Sequence, residues 1–141
     1  MSENASGPVS GQCLCGAITY RAERARRQVV SCHCSQCRRW TGGLWRATGA
    51  VRDELTIDDP DGRLTWFQSS DQARRGFCAT CGSSLFFDHA DRHTYAIMCG
   101  TLDQPTGLEL TLHIYIDDKA DYEIIDDGLP QLSEGHNLQY P

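Results

Sequence analysis

"FCATCGSSLFF", residues 77–87, decides the fold, because it sets two thiols on a tight turn that leads directly into an apolar strand. Cys78 and Cys81 are separated by two residues and followed by Gly82, which can adopt positive φ without steric cost. Such a Cys-x-x-Cys-Gly knuckle supplies two of the four ligands that tetrahedral zinc takes in structural sites. The stretch therefore predicts one half of a metal site, and the other half has to come from another part of the chain.

The segment "CLCG", residues 13–16, supplies a second pair of thiols. On an extended chain residues i and i+2 point to the same side, so the two sulfurs can reach one ion. Two cysteine pairs about sixty residues apart are a strong signal for a closed zinc site. We predict a structural zinc that joins the N-terminal strand to the knuckle, with these ligands: Cys13, Cys15, Cys78 and Cys81.

The segment "SCHCSQCRRWTGG", residues 31–43, adds a trio of thiols, Cys32, Cys34 and Cys37. Three protein ligands and an open fourth position are typical of a reactive zinc site. Zinc bound in this way can take up an external thiol as a thiolate, since thiol ligands bind in the deprotonated form. The trio therefore predicts a second, catalytic zinc.

The spacing alone leaves other groupings of the sulfurs open. One of them also gives four ligands: Cys32, Cys34, Cys78 and Cys81. In another, the trio is a second structural site closed by a histidine. Against this, His33 would point away from the trio on an extended chain, and His113 is expected to be hydrogen-bonded within a strand.

The remaining cysteine, Cys99, lies in "YAIMCGTLD" and is expected to be a small buried hydrophobe in a strand. A redox role for Cys99 together with the trio is the less favoured interpretation.

The N-terminal stretch and the length of the chain indicate a reducing compartment and a single domain. The opening "MSENASGPVSG" has neither a basic region nor an apolar run, so we expect no signal peptide, a cytoplasmic protein and free thiols rather than disulfides. The chain has no apolar run of about eighteen residues, so we expect no transmembrane helix. The chain of 141 residues fits a single zinc-binding domain over 11–132, with tails at 1–10 and 133–141.

Charge is unevenly distributed. The net charge is −6, and residues 93–141 carry nine acidic residues against a single lysine. A sequence-independent nucleic-acid binder needs a basic face, so neither nucleic acid nor a membrane is an expected partner. The arginine-rich half, residues 1–92, suits a small anion instead.

Short alternating segments bounded by turn residues predict a mostly β protein, an antiparallel β sandwich with one short helix. The helix is predicted over 36–40, with Ser35 as its N-cap and "TGG" as its end. In the last strand, Leu and Ile alternate and would share one face. Residues 121–132 are expected to be extended and to pack back on the body. The predicted strands are 17–22, 28–34, 44–51, 54–58, 63–68, 84–88, 94–100 and 108–117.

Taken together, these motifs resemble the glutathione-dependent formaldehyde-activating enzyme family, which includes centromere protein V. The resemblance rests on "GQCLCGAITY", "SCHCSQCRRWTGG", "SSDQARRGFCATCGSSLFF", "YAIMCGTLD" and "HIYIDDKADYEIIDDGLPQL", in that order. It covers about residues 11–132.

This resemblance implies a zinc-binding, mostly β fold similar to a Rab-GTPase chaperone and to methionine-R-sulfoxide reductases. It implies that a structural zinc is held by Cys13, Cys15, Cys78 and Cys81 and that the trio holds the catalytic one. The implied activity is of the carbon–sulfur lyase class, the condensation of glutathione with formaldehyde. The alternative is a non-catalytic zinc-binding module that interacts with a protein partner.

Arginine binds carboxylate in a bidentate way, and several arginines lie close to the trio in sequence. We hypothesise, independently of the resemblance, that Arg38, Arg39 and Arg46 meet the carboxylates of glutathione.

Overall fold

The computed structural model describes residues 7–135. Parts of both expected tails, residues 1–6 and 136–141, lie outside this range. The first strand begins at Val9, and Gly135 is buried beside Ile114, so ordered packing extends past both ends of the expected domain, 11–132.

Within the described residues the protein is mostly β, as predicted, and its single α-helix is α1. Three short 3₁₀ helices lie at Arg52–Glu54, Cys99–Thr101 and Ile116–Asp118. The strands and the helix are β1 Val9–Gln12, β2 Thr19–Ala22, β3 Val29–Cys32, α1 Ser35–Thr41, β4 Trp45–Val51, β5 Leu55–Asp58, β6 Leu64–Gln68, β7 Ala73–Cys78, β8 Ser84–His89, β9 Thr94–Met98 and β10 Leu110–Ile114.

The strands form two sheets. The smaller sheet has the order β1-β2-β5, and the larger one has the order β10-β3-β4-β9-β8-β7-β6. Neighbouring strands are antiparallel, except that β10 lies parallel to β3. The fold thus agrees with the antiparallel prediction apart from this edge pair, which adds the C-terminal strand beside the segment that carries the trio.

Several elements differ from the sequence-based prediction. Strands β1 and β7 were not predicted, because "VSGQ" and "ARRGFC" have little apolar alternation. The strand expected over 94–100 ends at Met98, and Cys99 begins a 3₁₀ turn. The strand expected over 108–117 is shorter, and a register shift between Leu110 and Leu112 interrupts its single apolar face.

The main core lies on the strand that leaves the knuckle. Leu85 and Phe86 of β8 are fully buried and belong to one cluster with Ile18 and Tyr20 from the N-terminal segment. The Tyr20 and Phe86 rings meet edge to face with centroids 5.2 Å apart. The knuckle is therefore joined directly to the centre of the apolar core.

A second apolar cluster surrounds the trio. It contains Val30, Trp45 and Ile114 together with Cys32 and Cys37. These residues come from β3, α1, β4 and β10, so the trio is held at the meeting point of four elements.

The C-terminal segment packs back on the body, as predicted for residues 121–132. The backbone of His113 donates to the Pro130 carbonyl at 3.0 Å and accepts from the amide of Leu132 at 2.9 Å. The segment therefore continues the larger sheet beyond β10 by one bridge. No helix among residues 7–135 is long and apolar enough to span a membrane.

Strand β1 requires a residue without a side chain at position 11. A Cβ atom there would overlap the Tyr20 hydroxyl and the Thr101 carbonyl oxygen. The Tyr20 hydroxyl also makes a 2.7 Å hydrogen bond with the Thr101 hydroxyl. Moving the Tyr20 ring or Thr101 away from a new Cβ atom would therefore break this hydrogen bond.

We predict that Gly11→Ala destabilises the fold by about 1–3 kcal/mol, the usual range for overpacking a tight site. Equilibrium denaturation with urea measures the change in the free energy of unfolding. Gly100→Ala is the matched control, because a Cβ atom at position 100 meets open space without positive φ. Equal stability of Gly11→Ala and the wild type would contradict the close contact.

Candidate metal centres

The first cluster brings together four sulfurs, those of Cys13, Cys15, Cys78 and Cys81, within 4.8 Å of one another. The Cys13 and Cys15 sulfurs are 3.6 Å apart, and those of Cys15 and Cys78 are 3.8 Å apart. Tetrahedral zinc with bonds of about 2.3 Å to sulfur needs sulfurs about 3.8 Å from one another. The donor set and its spacing therefore fit a four-thiolate zinc site.

Two glycine turns set this geometry. Gly16 and Gly82 have φ of 81° and 79°, which allows each cysteine pair to fold over its own backbone. Ser83, which the sequence analysis did not single out, links the two halves. Its hydroxyl accepts a hydrogen bond from the Leu14 amide at 2.9 Å and lies 3.2 Å from the Cys81 sulfur.

The four thiols differ in exposure. Cys13 and Cys78 are buried, whereas Cys15 is exposed. Burial opposes ionisation of Cys81, but hydrogen bonds that include one from Ser83 outweigh it, so the pKa of this thiol is lowered. Because Cys15 is exposed, one side of the cluster is open to water, which can solvate a charged site.

The second cluster is the trio, with the sulfurs of Cys32, Cys34 and Cys37 within 4.8 Å of one another. Cys32 ends β3, and Cys37 lies in the first turn of α1. The Cys34 sulfur accepts a hydrogen bond from the Cys37 amide at 3.3 Å, so Cys34 is the N-cap. Ser35, the predicted cap, is instead the first helical residue.

The described residues offer the trio no fourth protein ligand. No His, Asp or Glu side chain among residues 7–135 joins it, and the sulfurs of the first cluster form their own group. His33 lies 2.9 Å from His113 through their ring nitrogens, away from the trio as expected. The mixed quartet and the histidine-closed site are therefore not formed.

All three thiols of the trio line a cavity of about 410 Å³. Trp45 and Phe87 supply aromatic wall, and Arg27, Arg75 and Arg92 supply positive charge. The volume lies in the range of small-molecule sites. Trp66, by contrast, does not line this cavity and packs on the core residue Phe86.

The arginines named in the sequence hypothesis lie elsewhere. Arg39 and Arg46 are exposed and do not line the cavity. Arg38 lines a separate small recess that Cys32 also borders.

Arg75 is the principal site residue that the sequence analysis missed. It is 4% exposed, and its guanidinium Nη1 lies 3.6 Å from the Cys37 sulfur. The guanidinium carbon is 5.3 Å from the Trp40 ring centroid and 4.9 Å from that of Phe87. If the sequence had predicted β7 as a strand, the alternation of side chains along it would have placed Arg74 and Arg75 on opposite faces of the sheet.

A chain of hydrogen bonds joins His33, His113 and Asp127. The His113 ring contacts His33 on one side and, through Nε2, the Asp127 carboxylate at 2.8 Å on the other. Both histidines are buried. The chain ties the C-terminal segment to β3 and β10.

Cys99 belongs to neither cluster. It is half-buried, and burial raises its pKa to about 11, so it is a neutral thiol at physiological pH. A redox role for this residue gains no support, because reactive cysteines have a low pKa.

Comparison with known proteins gives three results. The family model for the glutathione-dependent formaldehyde-activating enzyme matches residues 8–118. A Schizosaccharomyces pombe protein named as an uncharacterized lyase is 28% identical over 112 residues, covering 79% of this chain and 80% of that protein. The crystal structure of a Rhodobacter sphaeroides protein, a structural genomics target, has a TM-score of 0.59 at 22% identity, covering 86% of this chain and 98% of the other. The last shares the fold.

Cysteine substitutions are predicted to separate the two clusters. Cys78→Ser should unfold or aggregate the protein, because metal binding at a closed site adds folding free energy. Cys34→Ser should keep the fold, since serine is itself a favoured N-cap, but lose metal from the trio. Thermal melting and the zinc content per chain measure both effects. A lower melting temperature for Cys34→Ser than for Cys78→Ser would contradict this division.

Asp127 is predicted to hold the C-terminal segment in a pH-dependent way. A hydrogen bond from His113 lowers the pKa of this carboxyl below its usual range. Its stabilising effect is therefore present above the unfolded-state pKa and is lost as pH falls through the lower folded-state value. Asp127→Asn should speed hydrogen exchange of the Leu132 amide at neutral pH. Asp121→Asn is the control, because Asp121 is exposed and no hydrogen bond joins it to His113. Equal exchange rates in the two variants would refute the tether.

Proposed function

The chain belongs to the glutathione-dependent formaldehyde-activating enzyme family, and from this premise we propose that it is a zinc-dependent carbon–sulfur lyase-type enzyme acting on a small thiol, with glutathione and formaldehyde as its substrates. The name of the yeast relative supports the lyase class. One observation carries the proposal: three thiols without a fourth protein ligand, among the described residues, line the wall of a cavity.

In this proposal Cys32, Cys34 and Cys37 hold the catalytic zinc, and the first cluster holds the structural one. Zinc at the trio would lower the pKa of a bound thiol, so that it is a thiolate at neutral pH. In this proposal the zinc of the first cluster stabilises the fold, and the zinc of the trio takes part in the reaction.

The chain's own residues prepare the cavity for the reaction. Trp45 and Phe87 keep water from part of the wall, which strengthens electrostatic interactions within it. The glutathione sulfur attacks the formaldehyde carbon, a carbon–sulfur bond forms, and the carbonyl π electrons move to oxygen. The thiol releases its proton to water as it ionises, and the new alkoxide oxygen takes a proton back from water. Glutathione and formaldehyde together contain every atom of the product, so no further reactant is needed.

Two of the cavity's arginines suit the carboxylates of glutathione. Arg27 is held in place, because its guanidinium donates to the Ala47 carbonyl oxygen at 2.6 Å. Arg92 lies in the same wall, on the turn between β8 and β9. We assign both residues to carboxylate binding on the basis of this placement, and the earlier hypothesis for Arg38, Arg39 and Arg46 stays a competing prediction.

The activity is tested by nuclear magnetic resonance exchange between formaldehyde, glutathione and S-hydroxymethylglutathione with the zinc-loaded protein. We expect the wild type to accelerate adduct formation and Cys34→Ser to leave only the rate without protein. A wild-type rate equal to the rate without protein would refute the formaldehyde reaction.

The arginine assignment is tested by the variants Arg92→Ala and Arg39→Ala in the same assay. Loss of a charge-assisted contact of about 1.5 kcal/mol should raise the KM for glutathione about 10-fold in Arg92→Ala. Arg39→Ala is the matched control and should leave KM unchanged. The reverse result would favour the sequence hypothesis instead.

A further inference from the structure

We propose that Arg75 is the fixed counter-charge of the trio and a positioning residue for Cys37, so that the loaded centre is electrically neutral overall. This inference rests on the proposed zinc at the trio.

The burial of Arg75 needs an anion. Removing a guanidinium from water is unfavourable unless it is paired and hydrogen-bonded. The ion pairs within residues 7–135 leave Arg75 without a carboxylate partner, in contrast to Arg74, which pairs with Asp88 at 2.8 Å. The contact that the structure does give its guanidinium is the one to the Cys37 sulfur, at 3.6 Å.

The aromatic rings around Arg75 do not replace that anion. Trp40 and Phe87 lie within cation–π distance of the guanidinium. A ring face offers a cation only its quadrupole and carries no net negative charge, so it does not neutralise a buried guanidinium. The sulfurs of the trio are therefore the anions that make the buried arginine stable.

The two clusters differ in how their net negative charge can be stabilised when zinc is bound. Four thiolates and one zinc ion carry a net charge of −2, but Cys15 is exposed and water can solvate that charge. Three thiolates and one zinc ion carry −1, and none of these thiols is exposed as Cys15 is, since Cys32 and Cys37 are 5% exposed and Cys34 is half-buried. The buried trio therefore needs its counter-charge from the protein, and one arginine neutralises it.

This arrangement also bears on the incoming thiol. The three thiols of the trio line the same cavity as Arg75, so a thiol bound to zinc there would lie near this arginine. A thiol that gives up its proton there adds one negative charge to a neutral assembly rather than to an anionic one. Arg75 thus favours thiolate binding at the fourth position without contributing a ligand.

The test uses the full chain and the variants Arg75→Gln, Arg75→Met and Arg75→Lys. Zinc affinity is measured by competition with a chromophoric chelator, and the coordination of the trio is followed by the ligand-field spectrum of bound cobalt(II). Gln and Met remove the charge and should weaken metal binding at the trio about 10–100-fold, the range seen for groups that support metal ligands. Lys keeps the charge and should lose less than either. Met also fills the space between Trp40 and Phe87 without a charge, so it should fold even if Gln does not.

Arg74→Gln is the matched control, because Arg74 is the neighbouring arginine on the opposite face of β7 and packs on Trp66. It should leave metal binding at the trio unchanged. Affinity for the first cluster should stay constant in every variant. Wild-type affinity at the trio in Arg75→Gln and Arg75→Met, or a loss in Arg75→Lys as large as in Arg75→Met, would overturn the inference alone. A wild type that binds one zinc per chain, unaffected by Cys34→Ser, would overturn the proposed catalytic zinc and this inference with it.

Discussion

The fold depends on the convergence of four sulfurs from two segments that are far apart in sequence. Neither "CLCG" nor the knuckle could form a stable unit alone, because each offers only two ligands and a single turn. When they meet, the strand after each is brought against the same core, and Ile18 comes to pack in one cluster with Leu85. Metal binding and core formation thus stabilise the same state, which is why ligand binding counts as folding free energy.

The second cluster depends on that framework in a different way. Helix α1 has seven residues, too few to be stable alone, and its N-cap is the thiol of Cys34. Its C-terminal end is closed by Gly42 with φ of 74°. The cap that defines the start of the helix is thus also a candidate metal ligand, so local structure and site geometry are set by one side chain.

The sequence identified the cysteine motifs as candidate metal ligands because ligand spacing is local and sulfur chemistry is specific, but spacing alone left the mixed quartet open, and only the three-dimensional positions of the sulfurs separate the two groups. It also predicted that the protein is mostly β with one short helix, expected over 36–40 and found at Ser35–Thr41. It could not predict the parallel pairing of β10 with β3, because strand order depends on packing between distant segments. Arg75 was missed for a related reason: an arginine in a sequence is usually a surface residue, and its burial becomes visible only when Trp40 and Phe87 are placed around it.

In the proposed assignment, burial explains why seven similar thiols serve two different purposes. A four-thiolate site that touches water needs no charged partner and can stay inert, since all four positions are filled. A three-thiolate site inside the protein is under stronger electrostatic control, because charges interact more strongly where water is excluded. We propose that a single fixed cation there favours the binding of a fourth, anionic ligand. The chemistry of the trio therefore depends on the strand that carries Arg75 as much as on the sulfurs themselves, and that strand, β7, is the one that ends in the knuckle at Cys78.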